Sequence, residues 1–365
     1  MDNVTISFAG TLSILALLLC YLYAFQNWTL KNNKSWANNY FTFFLLNFSV
    51  VILFFMLFNI GLEWLAKYLI PLMLTASFLM PVILWIYMNK LLVPHVDQKY
   101  RKHFVFPIVY GLIICTGMIG VLFGEGQFRI IGYYVLYYGT LGGMSIGFLV
   151  LNAVYLFLCF RMLNRHKKNV SNLFSYTEKI DLKWVRVMLF AYLLLILGIV
   201  LCQLVEDPWS DIVFYTTLIV FIIYVGYHSL HQKEVLIPEY IVGDKSNLLD
   251  TEYQNEPLPE GQQLLFQKLK DKLELYMEEE KPYLDQELTL FKLAKNLETN
   301  TKYLSTIINK EFQQSFIHFI NEYRIRAIEE SLLTFDKQNL TIEAMAQNVG
   351  FKSKSSFNVA FKKFT

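Results

Sequence analysis

The stretch GFKSKSSFNVAFKKF, residues 350–364, decides how the chain is read. A short amphipathic run, 341–349, precedes Gly350, and a second, 352–364, follows it. A glycine between two short helices supplies the positive φ that a tight helix–helix turn needs. Phe351, Phe357, Phe361 and Phe364 are spaced six, four and three residues apart, which places them on one apolar helix face. The other face carries Lys352, Lys354, Ser355, Asn358, Lys362 and Lys363, with no acidic residue from Ala344 to Thr365. Such a face suits a DNA major groove. By itself it also fits the solvated face of a small helical domain.

A matching pair of helices is expected upstream, at 290–298 and 301–312. Leu293, Ala294 and Leu297 form the inner face of the first, and Leu304, Ile307 and Ile308 that of the second. Asn300 stands where the second helix needs an N-cap. A long helix, 316–333, joins the two pairs. Leu293-Ala294, Tyr303-Leu304-Ser305, Phe316, Ile320, Tyr323-Arg324-Ile325, Leu332-Leu333, Ile342, Ala346 and Gly350-Phe351 through Phe361-Lys362 together resemble the AraC/XylS family of transcription regulators. The match is closest to members whose amino-terminal part is a membrane domain.

The resemblance implies two recognition helices that enter successive major-groove segments of promoter DNA. Carried over by position, the first presents Lys302, Ser305 and Thr306, and the second Lys354, Ser355 and Asn358. Lys352 belongs to the same basic surface, while Lys362 and Lys363 suit phosphate contact. Leu304, Ile308, Phe357 and Phe361 should point inward. Three departures stand out. Gln313 replaces the family's usual glycine at the end of the first recognition helix, where a left-handed residue is needed at a cost of about 1 kcal/mol. Ile328 replaces a usual alanine. The sequence stops at Thr365, before the family's last helix, so the domain is expected to be truncated there.

The rest of the chain is of another kind. Of its 365 residues 55% are hydrophobic and only 17% charged, with a mean hydropathy of +0.37, and the apolar residues concentrate before residue 231. That composition points to membrane spans. Seven can be drawn, at about 6–26, 40–59, 68–88, 104–123, 132–160, 184–204 and 212–230. The fifth is long, and Pro81 should kink the third. The amino-terminal MDNVTISFAG reads as the lead into a retained helix.

Basic residues collect in alternate loops: Lys31 and Lys34; then Lys90, Lys99, Arg101 and Lys102; then Arg161, Arg165, Lys167, Lys168, Lys179 and Lys183. The positive-inside rule therefore expects an outside amino terminus and a cytoplasmic 231–365 in a bacterial inner membrane. That is the compartment in which DNA would be met.

The spans hold almost no ionisable residue, unlike proton relays and ion-coupled transporters, which place Asp, Glu, Lys or His at mid-membrane. Asn47, Asn152 and Gln203 are their notable polar groups. Each would bond a neighbouring helix, or line a cavity for a small-molecule or lipid ligand. Gly139, Gly143 and Gly147, four apart, form a groove that lets another helix approach, inside the bundle or in a homodimer. The four cysteines, Cys20, Cys115, Cys159 and Cys202, lie in apolar runs and read as buried thiols. No zinc spacing, nucleotide-binding glycine loop, kinase signature or nucleophile elbow occurs, so neither cofactor nor metal nor enzymatic activity is expected.

The sequence thus predicts an all-α chain: a seven-helix transmembrane sensor domain at 1–230, a linker at 231–261 and a DNA-binding domain at 262–365. Its partners would be promoter DNA, membrane lipid and an unidentified ligand. The reading that follows is a membrane-embedded one-component transcription regulator. The alternative is a transporter or channel with a regulatory cytoplasmic domain.

Overall fold

The computed structural model describes residues 7–29, 36–92, 100–142, 146–176, 180, 182–204, 208–231, 260–334 and 341–365. The expected linker lies almost wholly outside them, and so does Gly143. Among the described residues there are fifteen α-helices and no strand. The chain divides into two compact units: Met1–Leu163 with Lys183–Leu236, and Asn164–Leu182 with Ile237–Thr365.

The first unit is built from α1 (Phe8–Thr29), α2 (Trp36–Asn59), α3 (Glu63–Tyr68), α4 (Ile70–Leu92), α5 (Arg101–Phe123), α6 (Gln127–Gly142), α7 (Phe148–Leu173), α8 (Lys183–Leu204) and α9 (Pro208–His231). Seven described helices are long and apolar enough to cross a membrane: α1, α2, α4, α5, α7, α8 and α9. Packing runs α8–α9–α1–α2–α4–α5–α6, with α4 the most buried of the seven. Helices apolar on all sides are expected either in lipid or in a large core. Here many of the large apolar side chains of α1, α5, α8 and α9 face outward. The helix of α4 continues through Pro81.

The fifth expected span holds two of the described helices. Residues 132–160 divide between α6 and α7, and Ile146 and Gly147 form a wider turn ahead of α7. The two pieces nevertheless run back along α5. Gly132 meets Gly120, the Tyr110 hydroxyl donates to the Gly139 carbonyl, and His103 bonds the Tyr155 hydroxyl. Gly139 of the expected groove meets a neighbouring helix, and a further close approach lies at Gly132. A Cβ on Gly132 would lie 2.8 Å from the Gly117 carbonyl oxygen and the Val121 nitrogen, backbone against backbone. One on Gly139 would lie 2.3 Å from the end of Ile114. Gly147 is half-buried in the wider turn.

Two of the expected polar residues bond neighbouring helices. The Asn47 amide donates to the Ala76 carbonyl of α4 at 2.8 Å. Buried Asn152 donates to Phe148 and accepts from the Tyr192 hydroxyl at 2.8 Å, tying α7 to α8. The Gln203 side chain lies outside the described residues. Cys20 and Cys159 are buried and unpaired, and Cys115 is half-buried.

The second unit holds α10 (Glu260–Glu279), a single 3₁₀ turn (Pro282–Leu284), α11 (Leu290–Asn296), α12 (Thr301–Glu311), α13 (Phe316–Thr334), α14 (Ile342–Asn348) and α15 (Lys354–Phe364). It has two small cores. Leu273, Met277, Leu290, Leu293, Leu304, Ile307, Ile308, Phe316 and Phe319 pack α10 through the first part of α13 together. Ile325, Ile328, Ala346, Val349, Phe351, Phe357 and Ala360 pack the later part of α13 against α14 and α15. Ile328, the departure from the family pattern, is a buried member of the second core.

Candidate nucleic-acid interface

Two helix pairs, α11–α12 and α14–α15, hang on the one helix α13. All four of their helices begin with a side-chain cap. Thr289 accepts from the Lys292 amide, Asn300 from Tyr303, Thr341 from Ala344 and Ser353 from Ser356. Each cap satisfies an amide with no partner inside its helix and fixes where the helix starts, at a gain of about 1 kcal/mol. The bounds of α12 and α15 therefore depend on single residues. Ser353, rather than Lys352, is the point at which the second recognition helix begins.

The turns follow the same logic. Gly350, between α14 and α15, has φ of +101°. A Cβ there would lie 2.4 Å from the Tyr283 carbonyl and 2.9 Å from Arg324 Nε, so glycine is required for its space as well as its backbone. Gln313, after α12, has φ of +53°. The position where the family usually has glycine is left-handed in this chain too, and glutamine bears the strain.

On α12, Lys302, Ser305 and Thr306 share a face, at the i, i+3, i+4 spacing of helix neighbours. All three are half-buried. The Ser305 hydroxyl accepts from the Asn309 amide at 3.1 Å, and the Thr306 hydroxyl donates to the Lys302 carbonyl at 2.8 Å. On α15, Lys354, Ser355, Asn358, Lys362 and Lys363 are all exposed. Lys354 lies 3.9 Å from Glu343, an exposed pair that water screens and that holds the lysine weakly. The second helix thus offers a free amide, a free hydroxyl face and cations, whereas the hydroxyls of the first are engaged within their own helix.

Two expected placements change. Lys352 is not on α15. It sits in the turn before it, where its ammonium bonds Glu287 at 2.9 Å and lies 3.7 Å above the Tyr176 ring. That contact holds the Glu287 carboxyl below its usual range. Phe361 is 39% exposed, at the edge of the apolar face rather than within it. The buried stripe of α15 is Phe357 and Ala360, with Phe364 beside them, because steps of three and four from Phe357 reach 360 and 364. Leu304, Ile308 and Phe357 do point inward.

The residue with no assigned role in the sequence reading is Arg324, on α13. It is 1% exposed. Nε donates to the Tyr283 carbonyl at 2.8 Å and Nη2 to the Asp285 carbonyl at 2.8 Å. Nη1 donates to the Ser175 carbonyl at 3.1 Å, and Nη2 to the Ser175 hydroxyl at 3.2 Å. Its guanidinium also lies over the Phe351 ring. Burial pushes the nearby Asp285 carboxyl up. The Lys292 ammonium at 2.9 Å, the Glu287 amide at 2.7 Å and the Arg324 charge outweigh it and hold Asp285 below its ordinary value. Arg324 therefore joins the turn that precedes the first helix pair, the second pair and residue 175 at one point.

Residues 293–365 match the model of the family described as helix-turn-helix domain. No curated protein and no solved structure matches the chain. The capped pairs, the glycine turn and this match agree: residues 293–365 are a helix-turn-helix domain of the AraC type, preceded in the same chain by a region of several apolar helices.

Proposed function

We propose that the chain is a membrane-embedded one-component transcription regulator, in which the apolar helices sense a ligand or a membrane state and the two helix pairs read promoter DNA. The observation that carries the DNA-reading part is the exposed face of α15. Lys354, Ser355 and Asn358 stand at the open end of a capped helix, the arrangement that reads base edges in a major groove. Lys362 and Lys363 follow where phosphates would lie. The helix-turn-helix match supports the same reading. The sensing part is supported by the apolar helices sharing one chain with that domain, and the basic loops favour a cytoplasmic DNA-binding side.

The test is to crosslink the full chain to DNA in intact cells, isolate it from the membrane fraction and sequence what it carries. Recovery of a small set of discrete sites is the expected result. DNA recovered evenly across the genome, or none, would count against the reading.

A further inference from the structure

Residues 164–182 comprise the last ten residues of α7 and the stretch that leads on to α8, yet they belong to the compact unit of the helix-turn-helix domain. Their attachment is specific. Leu173 packs against the first core of that unit. Phe174 is buried and forms an isolated antiparallel bridge with Thr289, the cap of α11. The Ser175 amide donates to the Leu288 carbonyl at 3.1 Å, and Ser175 is itself buried. Its carbonyl and hydroxyl then accept two donors of Arg324. The Tyr176 ring lies under the Lys352 ammonium, in the turn that opens α15. Within the segment, His166 Nε2 bonds the Ile180 carbonyl at 3.2 Å. Three consecutive residues, 174 to 176, thus touch the start of α11, the arginine of α13 and the turn before α15.

We propose that residues 164–176 are a strap that sets the placement of the two helix pairs relative to each other, and through which displacement of α7 changes DNA binding. The physical basis is the position of Ser175. A guanidinium buried to this degree needs its donors satisfied, and Ser175 supplies two of the acceptors. Arg324 also contacts the 282–285 turn that precedes the first pair and Phe351 of the second. When the strap lifts, the group common to both pairs loses partners and the junction loosens. The proposal rests on the DNA-reading function proposed above.

The experiment uses the full chain in lipid nanodiscs and in cells, as parent, Ser175→Ala, Tyr176→Leu and the control Ser171→Ala. Ser171 lies in the same segment, and its hydroxyl bonds within α7. Hydrogen exchange is read at the amides of 175, 284–288 and 350–351. The two strap variants are expected to exchange there about tenfold faster, the loss of roughly one hydrogen bond in Ser175→Ala and one cation–π contact in Tyr176→Leu. Exchange within α12 and the membrane helices should stay at the parental rate, which shows that the fold is kept. Occupancy of the parent's crosslinked DNA sites is expected to change severalfold in the same two variants. Parental exchange rates in both would overturn the strap. Faster exchange with parental occupancy would make the segment a brace and overturn its control of DNA binding. A parent that crosslinks no discrete DNA sites would instead refute the DNA-reading function on which the proposal rests.

Discussion

Ser175 and Arg324 are 149 residues apart in sequence, and two hydrogen bonds join them, at 3.1 Å from Nη1 to the serine carbonyl and 3.2 Å from Nη2 to its hydroxyl. The arginine is planar and its N–H groups diverge, so it can reach several turns at once. Arg324→Lys keeps the charge but offers a single ammonium, which cannot span Tyr283, Asp285 and Ser175. The substitution is expected to cost about 2–3 kcal/mol, since hydrogen bonds to a buried charge are lost. Denaturant-dependent hydrogen exchange of α13 in the full chain measures it. A loss below about 0.5 kcal/mol, the scale of an ordinary surface change, would show that the network does not hold the domain together.

Gln313 should be improvable. Its φ of +53° is one that glycine adopts without strain. Gln313→Gly is expected to raise the stability of the first helix pair by about 1 kcal/mol, less the entropy that glycine adds to the unfolded chain. An unchanged or lowered midpoint would mean that the glutamine side chain makes a compensating contact.

The unit of apolar helices has its own test at Gly132. Its hydrogen faces backbone atoms of α5, which cannot swing aside as a side-chain tip would. Gly132→Leu should separate α5 from α6 and lower the melting temperature of the chain in detergent, with overpacking costs of about 1–3 kcal/mol or more. Gly126→Ala makes a useful contrast, because the space beyond its Cβ is open and only its φ of +55° resists substitution. If Gly132→Leu melts like the parent, the crossing is looser than this geometry requires.

DNA reading separates into two behaviours. Asn358 is exposed on α15 beside Ser355, and under the proposed function it would bond a base edge. Asn358→Ala should weaken the cognate site by about 1–3 kcal/mol and relax preference at one base position. Lys363 lies near the end of the helix, where a phosphate contact is sequence-blind. Lys363→Ala should weaken all sequences alike and reduce the salt slope by about one. Titrations of the full chain in nanodiscs across mutated sites and salt concentrations distinguish them. If both variants bind every site as the parent does, α15 does not enter the groove.

Acid should loosen this domain through His318. Burial, and then the Lys363 charge, lower its pKa from the ordinary 6.5. The unfolded chain therefore takes up the proton first as pH falls. The stability held by neutral His318 is complete above about pH 6.5 and declines below it. Asp285 is held below its ordinary 3.8, so its contribution survives until far more acidic conditions. Between pH 7.5 and 5, His318→Gln is expected to flatten the fall in the unfolding midpoint. An equally steep fall in the variant would assign the acid sensitivity to another group.

Much of the domain's form was legible in local sequence. Asn300 caps the helix it precedes, and Gly350 and Gln313 take up left-handed backbone. These features depend on a few neighbouring residues, and their chemistry is written in consecutive letters. The apolar helices were legible for the same reason, since length and composition alone make a segment able to cross a bilayer. The crossing at Gly132 and the exposed edge position of Phe361 were not, because each depends on which helix lies opposite. The role of Arg324 was least accessible. Its tyrosine and isoleucine neighbours identify a helix, but its partners come from residues 175, 283 and 285, and only the closed tertiary fold brings those oxygens to one guanidinium.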